Sequence, residues 1–321
     1  MKRWFFLLGI ALLIATAMPS VVFATTRINI CFPTSGTSGT LYPLGLGIAN
    51  LWNIQLDDIN VRVQISNGGI QNLNLLKAKD AQVSFAVASS AYEAMHGMRA
   101  FKNRPYKDVR VMAGLYLNPN QVVARAGTGA TQLRDFKEKR FALGAAGSST
   151  AVETRLHLTA AGLRYPEDIK PQGASTTEVI ALLRDKQIDG AWIMAGIPTA
   201  AVAELCATAD GNLVPISDEV IASLQAEYPW YVKFTIPAGT YANQREDVQT
   251  TAVKMLLLTD ASMPEEIIYA LTKCFWENLP TLTKAHAVME TVTPDMGVKD
   301  LASIPLHPGA EKYYREIGLN P

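Results

Sequence analysis

Two places in the chain, about 110 residues apart, repeat one local pattern: an apolar run, a loop of Gly, Ser and Thr, and a helix-like segment. In the first, the run 28–32 passes through Thr34-Ser35-Gly36-Thr37-Ser38-Gly39-Thr40 into Leu41-Tyr42-Pro43 and a stretch with helical apolar spacing. In the second, Phe141-Ala142-Leu143 passes through Gly144-Ala145-Ala146-Gly147-Ser148-Ser149-Thr150 into a helix expected over 151–161 and stopped by Gly162. A strand that runs through such a loop into a helix aims unpaired backbone N–H groups and small hydroxyls at one point. The first turn of a helix also carries partial positive charge, so each unit is a cradle for a carboxylate or phosphate.

The segments around these units alternate in the same way. Val61-Arg62-Val63-Gln64-Ile65 has period two, Asn67-Gly68-Gly69 turns the chain, and 70–79 has helical spacing. Further strands are expected at 83–87, 109–115, 121–125 and 191–194, with helices at 179–184 and from Pro198 to Cys206. Thr131 is a plausible N-cap for a short helix over 133–136. Beyond Tyr231-Val232-Lys233-Phe234-Thr235-Ile236 come a turn at 237–241, a strand at 252–258 and a helix begun by Pro264 with Glu265 and Glu266 in its first turn. This repetition predicts an α/β fold of mostly parallel sheets with helices on both faces. Ligands of such sheets sit at the carboxyl ends of the strands, where the small-residue loops lie.

Residues 1–24 read as an export signal: Lys2 and Arg3, an apolar stretch over 4–18, and small residues in Val22-Phe23-Ala24 before a cut after Ala24. That places the mature chain in the periplasm. Residues 25–321 are enough for two lobes, expected at 25–120 and 121–236 with a return to the first lobe over 237–321. Crossings between lobes are expected near 120–121 and 236–239. The whole chain balances 29 basic against 29 acidic residues, and losing Lys2 and Arg3 leaves a slight acidic excess. No basic stripe supports nucleic-acid binding. The three cysteines, Cys31, Cys206 and Cys274, have no metal-like spacing, and pairing of Cys206 with Cys274 stays open.

Familiar catalytic signatures are missing. His96, His157, His286 and His307 are scattered, with no His-Glu-x-x-His or Cys-x-x-Cys, so no metal is expected. Gly-x-Ser-x-Gly, Ser-x-x-Lys and Gly-x-x-x-x-Gly-Lys are absent as well. Gly45-Leu46-Gly47 lacks the third glycine of a dinucleotide fingerprint, and no cofactor is expected. A centre assembled from distant residues stays open, which keeps an exported enzyme acting on a small carboxylate as the alternative.

Taken in order, the loops resemble the TAXI family, the TRAP-associated extracytoplasmic immunogenic solute receptors of tripartite transporters. The similarity runs from about residue 28 to 319. It is carried by Gly36-Thr37-Ser38-Gly39-Thr40-Leu41-Tyr42-Pro43-Leu44-Gly45, Asn67-Gly68-Gly69-Ile70-Gln71-Asn72-Leu73 and 144–150. Ala195-Gly196-Ile197-Pro198, Ile236-Pro237-Ala238-Gly239-Thr240-Tyr241 and Leu306-His307-Pro308-Gly309-Ala310-Glu311-Lys312-Tyr313-Tyr314 add to it. The resemblance implies a two-lobed periplasmic binding protein fold joined by a hinge. It implies a non-enzymatic, monomeric receptor that delivers a small organic anion, a dicarboxylate or keto acid such as a glutamate-like molecule, to fused TRAP permease subunits. Two departures matter: Phe85-Ala86-Val87-Ala88-Ser89 is similar to the family's Phe-Val-Gln-Ser/Ala-Asp, with Val87 for Gln and Ser89 for Asp, and Trp192-Ile193-Met194 replaces a stretch that is commonly smaller or more polar. Losing that Asp removes a partner for an α-ammonium group and favours a keto or plain carboxylate.

The ligand-binding candidates are Thr37, Ser38, Gly39, Thr40 and Tyr42 in the first loop, then Gly68, Gly69 and Ser89. Ser148, Ser149, Thr150 and Gly196 are their counterparts in the second half. Glycines alone would suit a turn in the first loop, whereas hydroxyls and a Tyr at the helix start suit ligand contact better. A turn explains Gly68 and Gly69 equally well, and Ser148 to Thr150 could simply cap their helix. Arg125 and Arg155 are the best-placed cations for a second carboxylate.

Overall fold

The computed structural model describes residues 27–209 and 211–321, so the expected signal segment lies outside the described residues. Ten strands and ten α-helices follow one another among the described residues. They are β1 (Ile28–Pro33), α1 (Leu41–Gln55), β2 (Ile59–Gln64), α2 (Gly69–Ala78), β3 (Val83–Val87), α3 (Ala88–His96) and β4 (Val109–Ala124). Then come β5 (Arg140–Ala142), α4 (Ser149–Ala160), β6 (Lys170–Gln172), α5 (Thr176–Arg184), β7 (Gly190–Met194), α6 (Ala200–Thr208), β8 (Asn212–Val214) and α7 (Asp218–Glu227). The last are β9 (Val232–Ile236), β10 (Val248–Asp260), α8 (Glu265–Glu277), α9 (Leu279–Thr283) and α10 (Pro308–Glu316). No described helix is long and apolar enough to cross a membrane.

Parallel pairing joins β1 to β2, and β5 to both β6 and β7. The longest strands behave differently. β4 and β10 run antiparallel, and they hold an eight-stranded sheet in the order β3-β10-β4-β7-β5-β6, with β8 on β4 and β9 on β10. The expected break between strands at 109–115 and 121–125 is absent, and β4 runs through Asn118-Pro119-Asn120 without interruption. Pro119 is tolerated because its carbonyl accepts from Ala195 N on the side away from β10. An antiparallel residue's N–H and C=O share one side, so the missing donor costs the β10 ladder nothing.

Helix ends mostly follow the sequence signals. Gln132 caps the 3-10 turn over Leu133–Phe136, with Asp135 completing a capping box, in place of Thr131. Pro198 precedes α6 and does not begin it. Apolar side chains fill the space between helices and sheet, with Trp52, Trp192, Phe85 and Phe275 among the largest fully buried. A fully buried side chain of this size stabilises by roughly 1.5–3 kcal/mol. Cys31, Cys206 and Cys274 are all free thiols.

Where α10 crosses α8 the two backbones meet: a Cβ on Gly309 would lie 2.1 Å from the Glu265 carbonyl oxygen. Backbone cannot swing aside as a side chain can, so Gly309→Ala should cost about 1–3 kcal/mol by overpacking. The expected result is a melting midpoint lowered by several degrees, read by circular dichroism, with an unchanged spectrum at low temperature.

Candidate functional site

The site is assembled from loops that one buried amide ties together. Asn72, fully buried on α2, donates from Nδ2 to the Thr34 and Phe85 carbonyls, both at 2.9 Å. Its Oδ1 accepts from Ser66 Oγ at 2.6 Å, and Ser66 Oγ in turn accepts from Gly68 N at 3.1 Å. The β1 loop, the β2 loop and the end of β3 are thereby fixed at one edge of a cavity. Gly68 stands at φ 98° and ψ −160°, a conformation open essentially only to glycine, and starts α2 without any side-chain cap.

Four helix N-termini converge on this cavity of about 70 Å³. Thr40 and Leu41 bring α1, Gly68 and Gly69 bring α2, Ser148 and Ser149 bring α4, and Ser175 and Thr176 bring α5. α1 and α2 carry no side-chain cap, which leaves first-turn N–H donors for another acceptor. Every side chain lining the cavity is uncharged. Asn118 of β4 sits on its floor, 2% exposed, and its Oδ1 has no hydrogen-bond partner among the described residues. At about 10–15 Å³ per water-sized centre, the space suits a few waters or one small ligand.

The two cradles touch across the cavity. Ser38 Oγ meets Thr177 Oγ1 at 3.0 Å, Thr40 Oγ1 donates to the Gly196 carbonyl at 3.1 Å, and Gln71 N donates to the Gly147 carbonyl at 3.0 Å. Ser90 Oγ donates to Ser149 Oγ at 2.8 Å, and Ser89 Oγ to Glu153 Oε1 at 2.9 Å. The closest approach is at Gly69, where a Cβ would stand 2.2 Å from Ser149 Oγ.

A model of the NMT1-like family matches residues 32–318. The chain belongs to that family. Solved structures share its fold at low identity. PhnD1 from Prochlorococcus marinus, in complex with methylphosphonate, aligns at TM-score 0.57 and 13% identity over 91% of this chain and 98% of its own. A protein of Bordetella bronchiseptica RB50 gives 0.57 and 14% over 92% and 99%. A binding protein component of an ABC phosphonate transporter from Pseudomonas aeruginosa gives 0.50 and 12% over 82% and 79%. The likeness is one of fold: the two-lobed α/β arrangement, sheets flanked by helices.

In the NMT1-like chain, Gly39, Thr40, Gly68, Gly69, Ser148, Ser149 and Thr150, all named as candidates from the sequence, line the cavity. Ser38 and Gly196 contribute the cross-cavity bonds instead, and Ser89 is committed to Glu153. Thr37 is exposed and Tyr42 half-buried, and neither is among the lining residues. The arginines fall elsewhere: Arg125 is paired with Asp189, and Arg155 is exposed beside the Tyr165 ring. Trp192 and Met194, noted in the sequence as a departure from the family pattern, line the cavity, and Met255 lines it without having been singled out. Ser175 and Thr176 were missed too, although Ser175 and Glu178 form a capping box whose spacing marks a helix start.

Directly behind the cavity lies a buried polar chain that no motif announces. Trp192 Nε1 donates to Asn120 Oδ1 at 2.7 Å, and Asn120 Nδ2 donates to Thr251 Oγ1 at 3.0 Å. Thr251 Oγ1 lies 2.7 Å from His157 Nε2, and His157 Nδ1 lies 2.7 Å from the Glu153 carbonyl. A carbonyl only accepts, so His157 carries its proton on Nδ1 and takes the Thr251 hydroxyl on Nε2. Every link is satisfied by a neutral imidazole, and burial holds the His157 pKa down at about 4. Burial also pushes the Glu153 carboxyl up to about 7, and its Oε2 has no hydrogen-bond partner among the described residues.

These two groups pull stability in opposite directions with pH. Glu153 holds a proton in the folded state that an ordinary glutamate loses above 4.5, so its contribution to stability falls as pH rises from 4.5 to about 7. His157 refuses a proton that an ordinary imidazole takes below 6.5, so its contribution rises with pH from about 4 to 6.5. At about 1.4 kcal/mol per pKa unit the two effects, each about 3 kcal/mol, offset one another over most of that window. Glu153→Gln should therefore make stability climb more steeply with pH between 4.5 and 6.5 than in the parent, and His157→Gln should make it fall. Urea titrations at half-unit pH steps check both signs.

Proposed function

We propose that the chain is a non-enzymatic extracytoplasmic solute receptor that holds a small organic anion between two lobes and delivers it to membrane permease subunits. The observation that carries this reading is the convergence of four helix N-termini on one cavity lined only by uncharged side chains. Such a site holds an anion by backbone N–H donors, hydroxyls and dipoles. Among its lining residues no carboxylate is present to match an ammonium group. A keto acid or plain carboxylate, with dicarboxylates first among them, is therefore favoured over an amino acid. Phosphonates join the candidates because PhnD1, of the same fold, was solved with methylphosphonate.

The lobes in this reading are residues 25–120 with the return to 321, and a second lobe beginning at 121. Ile236 and Tyr241 pack in one apolar cluster with Val123, Ala191 and Ile193. Tyr241 Oη also lies between Gln121 Oε1 and Thr199 N. We read this packing as carrying the second lobe past 236, with the return crossing inside β10. Opening would draw the α1 and α2 termini away from those of α4 and α5, and a bound anion favours closure by touching both pairs. The TAXI-type TRAP assignment, with its fused permease, rests on the sequence motifs, as do export to the periplasm and the cut after Ala24. Glu153, the one strongly shifted carboxyl nearby, is not among the cavity-lining residues and supplies no argument for catalysis there.

A thermal-shift panel of mono- and dicarboxylates, keto acids, amino acids and phosphonates tests the reading. A cognate anion at 100 times its Kd should add about 2.7 kcal/mol and raise the melting midpoint by several degrees. If no anion in the panel shifts the midpoint, the receptor reading fails.

Gly69→Ala tests closure separately. Its Cβ would wedge against Ser149 Oγ. Affinity for that anion should drop at least tenfold, about 1.4 kcal/mol, with the unliganded midpoint held. Removing the hydroxyl as well, in Gly69→Ala with Ser149→Ala, should return part of the loss by calorimetry.

A further inference from the structure

Behind the paired strands β4 and β10 is a second cavity, larger than the first at about 740 Å³. Neighbouring residues of a strand point to opposite faces. Asn118 and Met255 line the cavity in front, and Leu117 and Lys254 line the one behind. Leu117 and Lys254 are register partners, so they form the rear floor together. Tyr92 of α3, the Glu227-Tyr228-Pro229-Trp230 segment running from the end of α7 toward β9, and the 300–303 loop with Asp300 make the walls.

Three features of this groove call for an occupant. Lys254 is only 6% exposed, yet its side chain makes no hydrogen bond or ion pair with any described residue. Asp300 and Asp295 act on it only from a distance, and burial lowers its pKa. The Lys254 stem is buried while the ammonium reaches the groove, and an unpaired ammonium in a half-buried place is one that a bound anion would complete. Next, the wall is aromatic. The Trp230 ring lies 5.0 Å from Tyr92 and 5.5 Å from Tyr228, and its buried Nε1 has no partner among the described residues. Finally, the loop closing the groove holds Asp300, Ala302 and Ser303 at φ of 57°, 50° and 60°. Left-handed backbone at a residue such as Ala302 is unfavourable and persists only where surrounding structure imposes it.

We propose that this rear groove is a second ligand site for a small aromatic carboxylate, its carboxylate on Lys254 and its ring among Tyr92, Tyr228 and Trp230. The volume falls within the range of small-molecule sites and the wall is mainly apolar. Of its three charged side chains, Glu227 is already bonded to the Tyr228 hydroxyl, and Asp300 makes no hydrogen bond or ion pair with Lys254, which leaves the ammonium to an incoming carboxylate. The site is independent of the reading given to the front cavity, because the two share strands but no lining residue.

Titration with 1-naphthoate, followed by tryptophan fluorescence and calorimetry, is the test. Saturable binding is expected, at least tenfold weaker in Lys254→Met and retained in Lys254→Arg. The neutral 1-naphthamide should bind at least tenfold more weakly than the acid to the parent chain. Asn118→Ala, on the front floor, should leave naphthoate binding unchanged. Three results would overturn the proposal: no saturable binding by the parent, equal affinity in Lys254→Met, or loss of binding in Asn118→Ala. Circular dichroism of each variant separates loss of binding from loss of fold.

Discussion

The structure hangs on the antiparallel pair β4 and β10. β3 and β9 add to β10, β7 and β8 add to β4, and β5 and β6 follow through β7. Both long strands are buried over nearly their whole length, which fits strands covered on both faces. Because side chains alternate, this one pair supplies two floors. Asn118 and Met255 face the front cavity, while Leu117 and Lys254 face the rear groove. A slip of one residue in register would exchange these sets, putting an ammonium in the neutral site and an amide under the aromatic wall. The register is held by Asn120, whose side chain joins Trp192 of β7 to Thr251 of β10 and whose carbonyl accepts from Thr250.

How much of this was legible follows from where the information lies. The small-residue loops could be read because their composition has a direct backbone meaning. Gly68 needs a conformation closed to other residues, and Gly69 leaves room for Ser149. Helices with clear stop and start residues were legible for the same reason. Asn118-Pro119-Asn120 misled, since its residues are those of a turn, and only the partner strand shows that the proline lacks no bond it needs. Asn118, Glu153 and His157 gave no local signal at all. Their roles come from parts of the chain far away in sequence: Asn118 from the cavity it floors, Glu153 from Ser89 at 64 positions and His157 from Thr251 at 94. Pairing of that kind is a property of the fold and has no period in the chain.

The front and rear cavities answer the same electrostatic problem in different ways. A buried lysine gives an anion strong attraction, but the empty site then carries an uncompensated charge that burial penalises. Helix termini avoid that penalty, since their donors belong to neutral peptide groups already fixed by the helices behind them. The proposed clamp, which would have to open and empty repeatedly, gains from the second arrangement. Its donors are divided between α1 and α2 on one side and α4 and α5 on the other, so separating the sides dismantles the site without stranding a charge in either half. Lys254 has no such means of dispersal: it sits on β10, paired in register with Leu117 of β4 on the face away from the front cavity. An anion placed on it therefore acts on the core pair itself, where the packing of both floors meets.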